Sequence, residues 1–295
     1  MKERARQAAR LRFRSRSGRD RMGGMQDWML DFAEYVRELL PEELAEPFLA
    51  LTRPAIRLSI AGKGETTVGR LGGLPRLPEG MPWPRAGDGG PAMQFLAELD
   101  CAALAAYESD IDLPAEGTLL FFATWESTAA QVIMLPPDAI RVPEYEVPVL
   151  PPEARVFPEV PLAAETVATW PTRGHDDLVE LGDEFWDRVV GDEPWEVFAD
   201  MLADFADAEG GRAHQVGGYS DALQSPIEAV AAFAAGLRPH DPGFAAEASQ
   251  WVSLLQLDED NGMIFGDGGI LIFGIRRDRL AARDFSQVFP YVQGH

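Results

Sequence analysis

Eight polar residues in two distant stretches are the ones whose types could do chemistry. Glu98 and Asp100 lie in the first stretch; His214, Tyr219, Gln224, Gln256, Asp258 and Asp267 lie in the second. An imidazole, carboxylates and amides converging on one groove could bind a polar ligand or exchange protons with it. The same groups also satisfy backbone N–H and C=O at strand ends and turns, as buried polar atoms must. Both readings stand at this level. Gly218-Tyr219-Ser220-Asp221-Ala222 has the outline of a nucleophile elbow, but polar, Gly-rich residues precede it and the next helix starts only at Pro226. Ser220 therefore reads as a turn residue. Asp258-Glu259-Asp260-Asn261-Gly262 with Asp267 offers oxygens to a cation yet lacks the late Glu of a calcium loop. His175, His214, His240 and His295 show no zinc spacing, so neither metal nor cofactor is expected.

A second feature is electrostatic. Residues 176–209 carry thirteen Asp or Glu against Arg188 alone, within a net charge of -22. Two apolar stripes run through this stretch, one through Leu178, Leu181, Phe185 and Val189, the other through Trp195, Phe198, Leu202 and Phe205. Helices with these stripes inward would turn Asp183, Asp187, Glu196, Asp200, Asp204 and Asp207 outward. Such a face either solubilises the protein or steers a basic protein onto it. It repels nucleic-acid phosphates and anionic membrane surfaces. The first 22 residues are the opposite, with Lys2 and eight arginines against Glu3 and Asp20. They read as a basic disordered arm, a transit peptide or an upstream mis-called start, with Met22 and Met25 as alternative starts.

The elements that must position these groups follow from periodicity. Trp28, Phe32, Tyr35, Val36, Leu39 and Leu40 predict a helix over 27–40, and Pro41 opens a shorter one. Ile56, Leu58 and Ile60 alternate with Arg57 and Ser59, a half-buried strand. Strands are expected at 93–99 and 118–124, with extended edge strands and crossing loops over 131–162. Ser225-Pro226-Ile227-Glu228 predicts a helix start with a capping box, running to Leu237. Asn261-Gly262 marks a hairpin turn. No run is apolar enough to span a bilayer, and Cys101 is the only cysteine, which points to a reducing cytoplasm.

The chain also says one thing twice. Gly72-Gly73 precedes Phe95-Leu96-Ala97-Glu98-Leu99-Asp100, Gly117 and Leu119-Leu120-Phe121-Phe122. Gly217-Gly218 precedes Ser253-Leu254-Leu255-Gln256-Leu257-Asp258, Gly268-Gly269 and Ile270-Leu271-Ile272-Phe273. The expected fold is α+β: a single pseudo-duplicated domain over 23–295, its repeats at about 55–150 and 210–290, with a mixed, largely antiparallel sheet and flanking helices.

These residues resemble the YwqG-like family, a bacterial family of domains of unknown function. The resemblance rests on Gly72-Gly73-Leu74-Pro75, Trp83-Pro84, the 95–100 strand, Leu113-Pro114, Gly117 and the Leu119–Phe122 run. In the second half it rests on His214, Gly217-Gly218-Tyr219, Gln224, the 254–258 strand, Gly266-Asp267, Gly269 and Asp284-Phe285-Ser286. It implies an α+β fold with internal pseudo-symmetry and no particular reaction. Family members often carry Gln where this chain has Glu98, so a symmetric pair of amides is not expected. Two functions follow: a non-enzymatic module docking a basic partner, toxin-immunity proteins included, or a small-molecule binder or hydrolase using the groove.

Overall fold

In a computed structural model, the structure describes residues 25–126, 128–137, 139, 145–171, 175–179, 181, 182, 185, 202 and 214–294. The chain opens with α1 (Met25–Leu39) and α2 (Glu42–Leu49). Phe32, Val36 and Leu40, four residues apart, are buried on one face. Pro41 takes the N-cap place of α2 rather than its first helical position, and Pro47 falls inside that short helix.

Next come β1 (Arg53–Ile60), β2 (Gly69–Leu71), β3 (Leu77–Pro78), β4 (Gln94–Asp100), α3 (Cys101–Leu104), β5 (Thr118–Ala123), β6 (Ala130–Leu135), β7 (Tyr145–Glu146) and β8 (Val160–Thr169). They are followed by α4 (Asp176–Val179), β9 (His214–Val216), α5 (Ile227–Ala234), α6 (Phe244–Ala248), β10 (Trp251–Asp258), β11 (Ile270–Arg276), α7 (Arg277–Ala281) and β12 (Phe289–Gln293).

Ten strands form one sheet in the order β12-β11-β10-β9-β1-β8-β2-β4-β5-β6, and β3 pairs with β7 apart from it. Every pairing among the described residues is antiparallel. The sheet curls until its wings meet: Phe121 of β5 packs edge-on against Phe273 of β11 at 5.2 Å between ring centres. Alternation along the strands builds this shared interior. Leu119, Phe121 and Ala123 from one wing and Leu271, Phe273 and Ile275 from the other belong to one apolar core. The intervening side chains face outward under cover. The Gly- and Pro-rich loop with Leu77, Trp83 and Met93 packs on Leu120 and Phe122, and Ile227 of α5 packs on Ile270 and Ile272.

The two wings are built with matching details. Gly72-Gly73 after β2 and Gly217-Gly218 after β9 all have φ between 63° and 74°, the left-handed region where glycine carries no steric penalty. The ladders slip once in each wing, between Phe95 and Ala97 in β4 and between Ser253 and Leu255 in β10.

Several expectations are corrected. The mixed sheet is antiparallel throughout its described pairings. Residues 160–162, the end of the 131–162 stretch expected as edge strands and crossing loops, instead begin β8 at the sheet's centre, bonded to both β1 and β2. Of residues 209–215, read as polar and Gly-rich, His214 and Gln215 lie in the buried strand β9. Asn261 and Gly262 turn left-handed, at φ 53° and 80°. They do not close a two-residue hairpin, however, because β11 starts only at Ile270. The helical pair expected over 176–208 lies mostly outside the described residues.

Candidate functional site

The eight predicted residues fall into separate local networks. Arg70 of β2 pairs with Glu98 of β4 at 2.8 Å and donates to the carbonyls of Gly72 and Leu74 at 2.8 and 3.0 Å. Gln215 of β9 does the same job in the other wing, its Nε2 donating to the carbonyls of Gly217 and Tyr219 at 2.9 and 2.8 Å. Its cross-strand neighbour Gln256, buried to 1% exposure, accepts from the Asp221 N–H at 2.7 Å. Asp100 caps α3, accepting from the Ala102 and Ala103 N–H groups. These polar side chains hold turns that the double glycines make.

His214 Nδ1 accepts from the Asp258 N–H at 3.1 Å, and its Nε2 lies 3.6 Å from Asp260. Burial holds this imidazole below the usual histidine range, against the pull of Asp260 and Asp258. Gln224 is exposed; its N–H donates to Gln293 and its Nε2 to the Gly294 carbonyl. Asp267 is exposed at a turn tip. The Glu98 set and the His214 set connect through one chain of contacts. Asn261 Nδ2 donates to the Pro158 carbonyl, and the next residue, Glu159, pairs with Arg70 at 2.9 Å.

Tyr219 belongs to a denser cluster whose other members were not among the eight. Its hydroxyl donates to Asp177, the second residue of α4. Arg53 pairs with Asp177 at 2.6 Å, lies 4.0 Å from Asp110, and stacks its guanidinium over the Tyr219 ring. Asp110 accepts from the Gly218 N–H at 2.6 Å, and Thr169 Oγ1 from the Tyr219 N–H at 3.0 Å. Burial pushes the Asp110 carboxyl up. Burial and the bond to Asp177 push the Tyr219 hydroxyl up, so it stays a fixed donor at neutral pH.

His175 closes the cluster, its ring edge-on to Tyr219 at 4.8 Å. Its Nδ1 accepts from the Asp177 N–H, so the neutral ring carries its proton on Nε2. That Nε2 lies 3.7 Å from Glu228 Oε1, too long for a hydrogen bond. Nε2 and both Glu228 oxygens are buried with no hydrogen-bond partner. Here the predicted capping box is corrected. Pro226 is the N-cap of α5 and makes no side-chain cap bond, while Glu228 turns inward instead. A buried residue at that position carries no signal separating it from a capping Glu.

Among the described residues, no group of three or more His, Cys, Asp or Glu is placed to hold a metal ion. Ser220 is buried beside the double-glycine turn. Asp183, Asp187, Glu196, Asp200, Asp204 and Asp207 lie outside the described residues. Of the same stretch, the described Leu178, Phe185 and Leu202 join Phe32, Val36, Leu44 and Phe48 in a core under α1 and α2. No helix among the described residues is long and apolar enough to cross a membrane.

A family model, Domain of unknown function (DUF1963), matches residues 69–293, and the chain belongs to that family. The match begins at β2 and runs into β12. No curated protein matches the chain.

Proposed function

Starting from a family with no assigned reaction, we propose that this protein is a non-enzymatic binding module. It docks a basic protein through the acidic segment 176–209, in the manner of immunity proteins that neutralise toxins. The observation that carries this reading is where the segment's apolar residues go. Leu178, Phe185 and Leu202 are spent in the core with α1 and α2, and Arg53 and Tyr219 pin the segment's start at Asp177. The segment carries thirteen Asp or Glu against Arg188 alone, and such a charge raises the encounter rate with a cationic surface. The test is capture from a native-host extract with the wild type and with a variant neutralised at Asp183, Asp187, Glu196, Asp200, Asp204 and Asp207. The expected result is a basic protein held by the wild type, released as salt rises and lost from the variant. Retention unchanged by neutralisation overturns the reading.

A second reading keeps a polar groove for a small ligand or a hydrolytic reaction. It is favoured by the chain of contacts from His214 through Asp260, Asn261, Pro158, Glu159 and Arg70 to Glu98. For it, His214→Ala or Glu98→Gln should abolish a thermal shift produced by a small-molecule library. A library without effect on the wild type removes it.

We further infer that the chain is a duplicated, YwqG-like fold. Five strands stand on each side of the β1–β8 junction. The double left-handed glycines, the slipped ladders and the paired roles of Arg70 and Gln215 recur at corresponding places. A cytoplasmic setting accords with a single, buried cysteine.

A further inference from the structure

β6 ends the sheet: it pairs with β5 on one side and with no described strand on the other. A row of backbone N–H and C=O groups left unpaired at an edge is a template for another strand. This edge is not bare to solvent. It lines a cleft of about 680 Å³, walled by the loop at Met81–Gly87 with Met93, and by the turn Arg283–Ser286. β6 stays half-buried at Ala130, Gln131, Ile133 and Met134.

The cleft's chemistry narrows its occupant. Its charged rim is already neutralised within the fold. Arg85 pairs with Glu153 at 2.8 Å, Arg283 with Asp112 at 3.2 Å, and Asp284 with Arg279 and Ser286. What remains is the strand edge and a lining of Met81, Met93, Met134, Ile133 and Phe285. Methionine adapts to varied apolar side chains without demanding one shape. A second copy of this chain would bring its own sheet and the same two walls to the contact. Walls on both sides of the edge leave room beside β6 for one extended chain instead.

We propose that the β6 edge is a docking site for one extended, uncharged peptide segment of a partner protein, which adds as an eleventh strand beside β6. Main-chain hydrogen bonds supply the affinity, and alternate side chains enter the methionine-lined cleft. The lining holds no residue of the acidic segment, and docking at β6 does not depend on that segment.

The probe is acetyl-Thr-Val-Thr-Ile-Thr-Val-amide, fluorescently tagged and titrated into the full chain by anisotropy. Its control is the same peptide N-methylated at alternate residues, which cannot donate along one edge. The expected result is binding by the unmodified peptide, weakened at least tenfold by N-methylation and by Met134→Lys, with little response to salt. Met134→Lys places a charge on the edge without removing a ladder bond; its melting temperature is measured alongside, and Met81→Ala provides a second probe of the lining. Equal binding of the N-methylated peptide means an apolar pocket rather than a strand site, and overturns the proposal. So does absence of binding at millimolar peptide, or a concentration-dependent dimer in sedimentation that Met134→Lys dissolves. Repeating the titration on the charge-neutralised acidic variant separates the two surfaces: docking at β6 survives there even if the acidic face proves inert.

Discussion

Arg70 and Gln215 stand each two residues before a pair of left-handed glycines, and each donates to the carbonyls two and four residues further along. A guanidinium and an amide thus clamp equivalent turns, with Glu98 and Gln256 as their cross-strand neighbours. The clamp gives each of these buried or half-buried polar residues a hydrogen-bonding role within its own turn.

This equivalence can be tested by exchange. Arg70→Ala strips two carbonyls of a donor and leaves Glu98 without its partner, and should cost about 2–4 kcal/mol in urea denaturation. Arg70→Gln with Glu98→Gln copies the second wing into the first, and should recover at least half of that loss. If the double variant is no more stable than Arg70→Ala, the wings are not interchangeable.

Gly218 has neither the conformation nor the space for a side chain. At φ 66°, a Cβ there would lie 2.5 Å from Thr169 Oγ1 and 2.6 Å from the Ala55 Cβ. Gly218→Ala should cost more than about 2 kcal/mol, combining backbone strain with the clash. Gly64→Ala, at φ 88° with open space around it, should cost about 1 kcal/mol. Melting temperatures of the pair check the difference.

Glu228 buries a carboxylate with neither oxygen hydrogen-bonded. Glu228→Gln keeps the shape, removes the charge and lets an amide face the cluster. It should leave stability unchanged or raise it by about 1 kcal/mol at neutral pH. A clear loss in the same denaturation assay would mean that the carboxylate has a stabilising counterpart.

His214 sets a pH response of known sign. Its pocket favours the neutral ring, so the unfolded chain binds the proton more tightly than the native one. The contribution is complete above the unfolded value of about 6.5 and is lost as pH falls through it. The melting temperature of the wild type should fall more between pH 7.5 and 5.5 than that of His214→Gln, which keeps an acceptor for the Asp258 N–H. Parallel curves would remove His214 as the source.

The double glycines were legible because only glycine takes up two successive left-handed turns cheaply, and the flanking apolar runs marked β4, β5, β10 and β11. β8 was not, because Val160–Thr169 places Ala163, Ala164 and Glu165 where a central strand would alternate bulky apolar residues. The cluster around Tyr219 was half legible. Tyr219 was singled out by its place after Gly218, whereas Arg53, Asp110, Thr169, His175 and Glu228 come from five separate segments that only the sheet order brings together.

Cys101 opens α3 with no exposed surface, and burial pushes its thiol up to about 12. At ordinary pH almost no thiolate forms there, so alkylating dyes and mild oxidants should leave the folded chain untouched. A cysteine engineered at any solvent-facing position would then be the one residue such reagents find, and fluorophores or spin labels could be attached without first deleting the native sulfur.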